Sequence, residues 1–222
     1  MKARVLFSGG KDSSLSALLL EPFYDMELVT CTFSVVPVAG IAASAASGLG
    51  LKHSAVELDA GVLEEAFRMI LEDGYPRNAI NHIHMHALEK VASLSPGCLI
   101  ADGIRRDDRA PRPGIPALRS IEDRFGVCCV SPLMGYGRAA INELVNRYLE
   151  IREDLSDRLE KADYETELRV LIRDRCGEAR IAELFPEHVQ SRVIFRKNTS
   201  KTRKTPEEKI TENDDIAPYR GD

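Results

Sequence analysis

Seven consecutive residues near the amino terminus, Ser8-Gly9-Gly10-Lys11-Asp12-Ser13-Ser14, are of the types that hold a polyphosphate. Adjacent glycines permit backbone conformations that a Cβ disfavours and let a ligand come against the main chain. Backbone N–H groups presented in this way at the start of a helix form an anion cradle. Lys11 adds a mobile positive charge, and Ser8, Ser13 and Ser14 add hydroxyl donors. Asp12 can cap the helix or hold a magnesium ion. The spacing is neither that of G-x-x-x-x-G-K-[ST] nor that of a dinucleotide fingerprint.

Other residues with chemical potential lie further along. The run Ala101-Asp102-Gly103-Ile104-Arg105-Arg106-Asp107-Asp108 ends in an acidic pair. Asp107 and Asp108 can hold magnesium, bind an acceptor, or simply favour a helix N-terminus. His82 and His86 are four apart and share a helix face, but no third ligand accompanies them, so they and His84 read as surface or core residues. Cys31, Cys98, Cys128, Cys129 and Cys176 contain no C-x-x-C pair. Neighbours on a strand point to opposite faces, which makes Cys128 and Cys129 poor partners for one metal or one disulfide. The cysteines are expected to be reduced core residues.

These residues need a scaffold, and the chain alternates short β-rich runs with helical patterns as far as about Asn146. Strands are expected at Ala3–Phe7, Glu27–Val36, Ser54–Leu58, Cys98–Ala101 and Val127–Val130. Helices are expected at Ser13–Leu20, Gly61–Asp73, Asn78–Ser95 and Arg138–Ile151, from apolar residues at helical spacing. The stretch Val38–Gly50 is rich in Ala, Ser and Gly, which lets a helix lie close to a sheet. This order implies an α/β, doubly wound parallel sheet of five strands with helices on both faces. The glycine loop falls at the first strand–helix junction, where first-turn N–H groups lack intrahelical acceptors.

Residues 1–150 are thus expected to form the binding domain and residues 151–190 a helical extension, with helices near Tyr164–Cys176 and Ala179–Phe185. Residues 191–222 read as a flexible tail, basic over Arg192–Lys204 and acidic beyond. At 222 residues, 44% hydrophobic and 29% charged, the composition is globular. A net charge of −5 argues against a uniformly cationic nucleic-acid binder but not against a local basic patch. No run of eighteen apolar residues is present, and no signal-peptide core precedes Ser8, so a cytoplasmic location is expected.

The loop resembles the S-G-G-x-D-S signature of the PP-loop ATP pyrophosphatases, a superfamily of tRNA-modifying enzymes and amide ligases. Gly103, Asp107 and Asp108 resemble the G-H-x-x-D-D segment of its tRNA-modifying branch, with Ile104 in the histidine position. Pro132-Leu133-Met134 with Arg138 and Ile141 resembles its P-L-x-x-x-x-R-x-x-I element. The resemblance spans roughly residues 5–149. It implies an adenine nucleotide alpha-hydrolase-like fold and the cofactors ATP and Mg2+. Pyrophosphate would lie on Ser8–Ser14 and adenine against Thr32, Phe33 and Ser34. Gly103 and Arg138 would lie near the nucleotide, and Asp12 and Asp108 on magnesium. Lys11, Asp12, Asp107 and Asp108 would serve the chemistry. Arg77 and His84 would stand where relatives carry arginines facing ATP.

The activity implied is transfer of AMP to an acceptor oxygen with release of pyrophosphate, followed by nucleophilic substitution. A tRNA base held through Arg192–Lys204 is one acceptor. A small-molecule amide ligase and a non-catalytic ATP-binding regulator are the alternatives. A homodimer is a further expectation, and no membrane partner is expected.

Overall fold

The computed structural model describes residues 1–156 and 158–197. Five parallel strands form the main sheet: β1 (Lys2–Leu6), β2 (Asp25–Thr32), β3 (Lys52–Glu57), β4 (Leu99–Ala101) and β5 (Cys128–Val130). Their spatial order is β3-β2-β1-β4-β5. The chain therefore reverses its direction of winding between β1 and β4, and the crevice beyond the carboxyl ends of those strands is where open α/β sheets bind ligands. The register sets Val5 beside Ala101. The residues that follow, from Ser8 and from Asp102, emerge side by side.

Helices α1 (Lys11–Leu20), α2 (Val38–Leu49), α3 (Ala60–Asp73), α4 (Arg77–Ser93), α5 (Ile115–Phe125) and α6 (Arg138–Tyr148) connect or flank the strands. Two apolar clusters fill the faces. One packs Leu6, Val29 and Ile100 against α3, α4 and the carboxyl-terminal helices. The other packs Val5, Leu28 and Ala101 against α1, α2 and α6. The central strand β1 alternates between them, as a strand covered on both sides must. Helix α5 was not expected. It follows a Pro- and Arg-rich loop and buries only Ile121 fully, so its apolar stripe is thin.

The extension differs from expectation. The helix expected over Arg138–Ile151 stops at Tyr148, and β6 (Leu149–Leu155) begins at once. It pairs antiparallel with β7 (Val189–Arg196). Only α7 (Tyr164–Cys176) and α8 (Glu178–Leu184) make the segment between them helical. Ser191 and Val193 turn inward on β7 while neighbours stay less buried, a period of two hidden inside a basic run. The expected flexible tail is thus a strand as far as Arg196, Lys197 follows it, and 198–222 lies outside the described residues. Among the described residues no helix is long and apolar enough to cross a membrane.

Candidate functional site

The glycine loop runs from β1 into α1 as its composition requires. Gly9 has φ of +75°, a conformation that side chains resist. The Ser13 and Ser14 hydroxyls donate to the Gly10 carbonyl at 3.3 and 2.8 Å and fix the first turn. The Lys11 N–H reaches Ser191 Oγ at 3.3 Å and the Ser14 N–H reaches the Gly10 carbonyl at 3.2 Å. The N–H groups of Asp12 and Ser13 lie between them and have no intrahelical acceptor.

The turn after β4 closes on the same helix end. Ser16 Oγ donates to the Asp102 carbonyl at 2.7 Å. A Cβ at Gly103 would lie 2.7 Å from Ser13 N and 2.9 Å from Ser13 Cα, so only glycine admits this approach. Gly103 therefore serves by letting two backbones meet. Beneath the turn, Asp102 Oδ1 accepts from Ile104 N at 3.0 Å, and Oδ2 lies 3.7 Å from His84 Nε2. Both side chains are buried, and His84 Nε2 has no hydrogen-bond partner among the described residues.

Together these elements open a cleft of about 470 Å³. Ser8, Lys11, Asp12, Ser13, Gly103, Asp108 and Arg138 line it, joined by Arg105, His84, Lys161 and Tyr164. Four residues of the expected cradle, one of the two acids and the expected arginine are thus brought together, whereas Gly9, Gly10 and Ser14 do not line the cleft. Asp107 is not: it lines a neighbouring hollow with Arg77.

Arg105 organises the acidic side. Its Nε and a terminal nitrogen donate to Asp108 Oδ1 at 3.0 and 2.6 Å, and its backbone N–H donates to Oδ2 at 2.7 Å. The same guanidinium lies 3.6 Å from Asp12. Burial pushes the Asp12 carboxyl above the ordinary range and Asp108 adds to that, while Arg105 and Lys11 pull the other way. Asp12 Oδ1 is buried without a hydrogen-bond partner. Such an orphaned oxygen suits a cation. Magnesium takes one or two carboxylates and keeps water or phosphate oxygens for the rest, so Asp12 fits that ion. Asp108 fits it only after Arg105 lets go. Among the described residues no group of three or more His, Cys, Asp or Glu side chains is placed to hold a metal by itself.

The edge expected to read adenine does not face the cleft. Glu167 of α7, fully buried, accepts from Thr32 Oγ1 at 2.9 Å, from Phe33 N at 3.0 Å and from Val35 N at 3.1 Å. The donors a purine would use at Thr32 and Phe33 are therefore taken by the chain itself. Burial raises the Glu167 pKa, although these bonds pull it down. The sequence carried a signal for this residue: Tyr164 and Leu171, three before and four after it, share its helix face, so an acid there had to be partnered.

The extension also roofs the cradle. Val193 N donates to the Gly9 carbonyl at 2.8 Å, and Ala162 N to the Ser8 carbonyl at 3.3 Å. Lys11 Nζ reaches Glu153 Oε1 at 2.9 Å. Lys161 enters the cleft and pairs with Asp163 at 3.1 Å. Burial drives the Asp163 carboxyl upward, but Lys161 and the Thr166 donors outweigh it and leave its pKa below the ordinary value. No motif announced Lys161 or Arg105 as site residues.

Two other expectations change. The basic stretch is neutralised where it is described: Arg192 lies 3.6 Å from Glu160, Arg196 2.6 Å from Glu21 and Lys197 3.1 Å from Glu150. Lys201, Arg203 and Lys204 lie outside the described residues. The cysteines are not all core: Cys128 and Cys176 are exposed, whereas Cys31 is buried. Burial pushes the Cys31 thiol up to about 12 and the Cys129 thiol up to about 11, so neither is a ready nucleophile.

The chain belongs to the family described as a family of unknown function (DUF7411), whose model matches residues 1–195. An uncharacterised protein of Methanocaldococcus jannaschii is 40% identical over 195 residues, covering 87% of this chain and 96% of the relative. A crystal structure described as a predicted subunit of tRNA methyltransferase, from the same organism, matches with a TM-score of 0.80 at 39% identity. That match covers 89% of this chain and 98% of the other.

Proposed function

We propose that this chain binds ATP in the cleft and acts as a PP-loop ATP pyrophosphatase on a tRNA-related acceptor. One observation carries the reading: the glycine loop at the start of α1 meets Lys11, Arg138 and Lys161 in one cleft beyond the ends of β1 and β4, where carboxylates such as Asp12 and Asp108 also line the wall. A polyphosphate carried with magnesium is the ligand that such a mixed site accommodates. Bound ATP would supply an alpha phosphorus to which an acceptor oxygen adds as pyrophosphate leaves.

The residues' own work is positioning and charge. The first turn of α1 and the Ser8 hydroxyl orient the phosphates, and Lys11, Arg138 and Lys161 offset the charge of the leaving pyrophosphate. Asp12 Oδ1 is the ligand available to magnesium. With the β2 edge held by Glu167, the base lies instead along Ile80, Ile104, Pro111 and Tyr164, where His84 Nε2 awaits a polar partner. The solved relative is described as a predicted subunit of tRNA methyltransferase, and that supports an RNA acceptor over a small molecule.

The sealed β2 edge and the Lys11–Glu153 pair favour a second reading, an ATP-binding regulator without turnover. Incubation with magnesium, bulk tRNA and ATP labelled at the alpha phosphate in one reaction and at the gamma phosphate in another separates the two. The enzyme reading expects pyrophosphate and an equal amount of AMP, free or attached to the RNA. ADP and orthophosphate would place the chain among kinases or ordinary ATPases. ATP binding without pyrophosphate from any RNA or extract fraction would leave the regulator.

A further inference from the structure

Beside the cleft lies a second hollow of about 520 Å³, lined by Tyr75, Arg77, Asp107, Asp108, Arg109 and Arg112. It borders the cleft at Asp108, which lines both. Arg77, Arg109 and Arg112 are exposed, and none forms an ion pair among the described residues. Asp108, the acid that could quench them, is already held by Arg105. Only Asp107 offsets the three cations in the hollow. The guanidinium of Arg112 donates to the Arg106 carbonyl, and the Arg106 guanidinium lies against Gly137, the residue before Arg138. A band of unpaired arginines thus runs from the hollow along the mouth of the cleft to Arg138.

Other exposed arginines without an ion pair among the described residues, such as Arg68, Arg119 and Arg147, sit on separate helices, whereas Arg77, Arg109 and Arg112 line one hollow. The basic stretch differs from the hollow, since Arg192, Arg196 and Lys197 each have an acidic neighbour. Arginine rather than lysine fills the hollow, and its planar fork matches phosphate oxygens two at a time. Tyr75 stands at its edge, 41% exposed, with a face on which a base can stack.

We propose that this hollow, with Arg77, Arg109 and Arg112 as its phosphate ligands, holds the backbone of the RNA acceptor and leads a nucleotide into the cleft. The inference rests on the RNA reading of the function and moves the RNA surface away from Arg192–Lys204. A free nucleotide presents the same phosphate chemistry, so ATP is the second probe.

The test uses the full chain, bulk tRNA and, separately, ATP, with binding measured between 50 and 200 mM salt. The variant R77A/R109A/R112A should bind tRNA more than ~10-fold more weakly, with a salt slope shallower by about two to three units. ATP affinity should not change, since none of the three lines the cleft. R77K/R109K/R112K should recover most of the slope, because counterion release follows charge. Removal of three exposed arginines elsewhere, in R68A/R147A/R158A, should leave the slope much nearer the wild type. If wild type binds tRNA and the triple alanine variant binds it equally well, the hollow is wrong while the RNA reading stands. If wild type binds no tRNA at 50 mM salt, the RNA reading falls and takes this inference with it. Loss of ATP affinity with intact tRNA binding would make the hollow a nucleotide subsite and overturn the proposal.

Discussion

The ends of β1 and β2 lie side by side in the sheet, yet the chain treats them in opposite ways. Beyond β1 it leaves donors and cations facing a cleft. The first turn of α1, Lys11 and Asp12 Oδ1 all keep unused capacity there. Beyond β2 it uses up the capacity itself. Glu167 satisfies Thr32, Phe33 and Val35 from a helix that begins more than a hundred residues later. A buried donor must find an acceptor, and the difference lies in whether the acceptor is part of the chain or is left to a ligand. One sheet therefore keeps one strand end open and closes the next with its own side chain.

Breaking the open end should have the larger effect. Lys11→Ala should slow pyrophosphate formation by about 100-fold or more, the scale seen when one charge-stabilising donor is removed. It should fold normally, because its pair with Glu153 is half-exposed and such pairs contribute at most about 1 kcal/mol. A Lys11→Ala variant turning over at the wild-type rate would remove this residue from the phosphate site.

Breaking the closed end should cost stability. Glu167→Ala leaves buried donors at Thr32 and Phe33, and the part-buried Val35 N–H, without an acceptor, a loss of about 3 kcal/mol, or roughly 6 to 12 °C in Tm for a chain of this size. A change below 1 °C would mean that water replaces the carboxylate. The pH dependence has a definite sign. Burial raises the Glu167 pKa, so the folded state takes up the proton before the unfolded chain does. Wild type should gain stability relative to Glu167→Gln as pH falls through that raised pKa, and the gain should level off below the unfolded value. Denaturant titrations at neutral and mildly acidic pH measure it, and a relative loss for wild type would contradict the sign.

The smallest effect probes the roof over the open end. Glu153→Gln frees the Lys11 ammonium from its partner at 2.9 Å. Affinity for inorganic pyrophosphate should rise about 2- to 5-fold at low salt, with the gain disappearing near 1 M salt as screening becomes complete. Unchanged affinity at low salt would show that the pair does not compete with a ligand.

The sequence by itself determined the scaffold and the open end. Alternating β-rich and amphipathic runs specify a parallel α/β sheet, because periodicity is a local property of neighbouring residues. Ser8–Ser14 was equally legible, since a glycine with positive φ and a helix start are decided within a few residues. Only the tertiary structure decided the rest. Phe33 and Glu167 are 134 residues apart, and Lys11 and Glu153 are 142 apart. No local pattern states which buried acid meets which strand edge. Arg105 was visible in its run, but its grip on Asp108 and its approach to Asp12 depend on how the β4 turn packs against α1. The basic run at Arg192–Arg196 became a strand and lost its free charge because β6 and three acids came within reach of it and of Lys197. Backbone propensity acts over a few residues, whereas burial and charge pairing are settled when distant segments meet, and that meeting determined which polar groups this molecule keeps for a ligand.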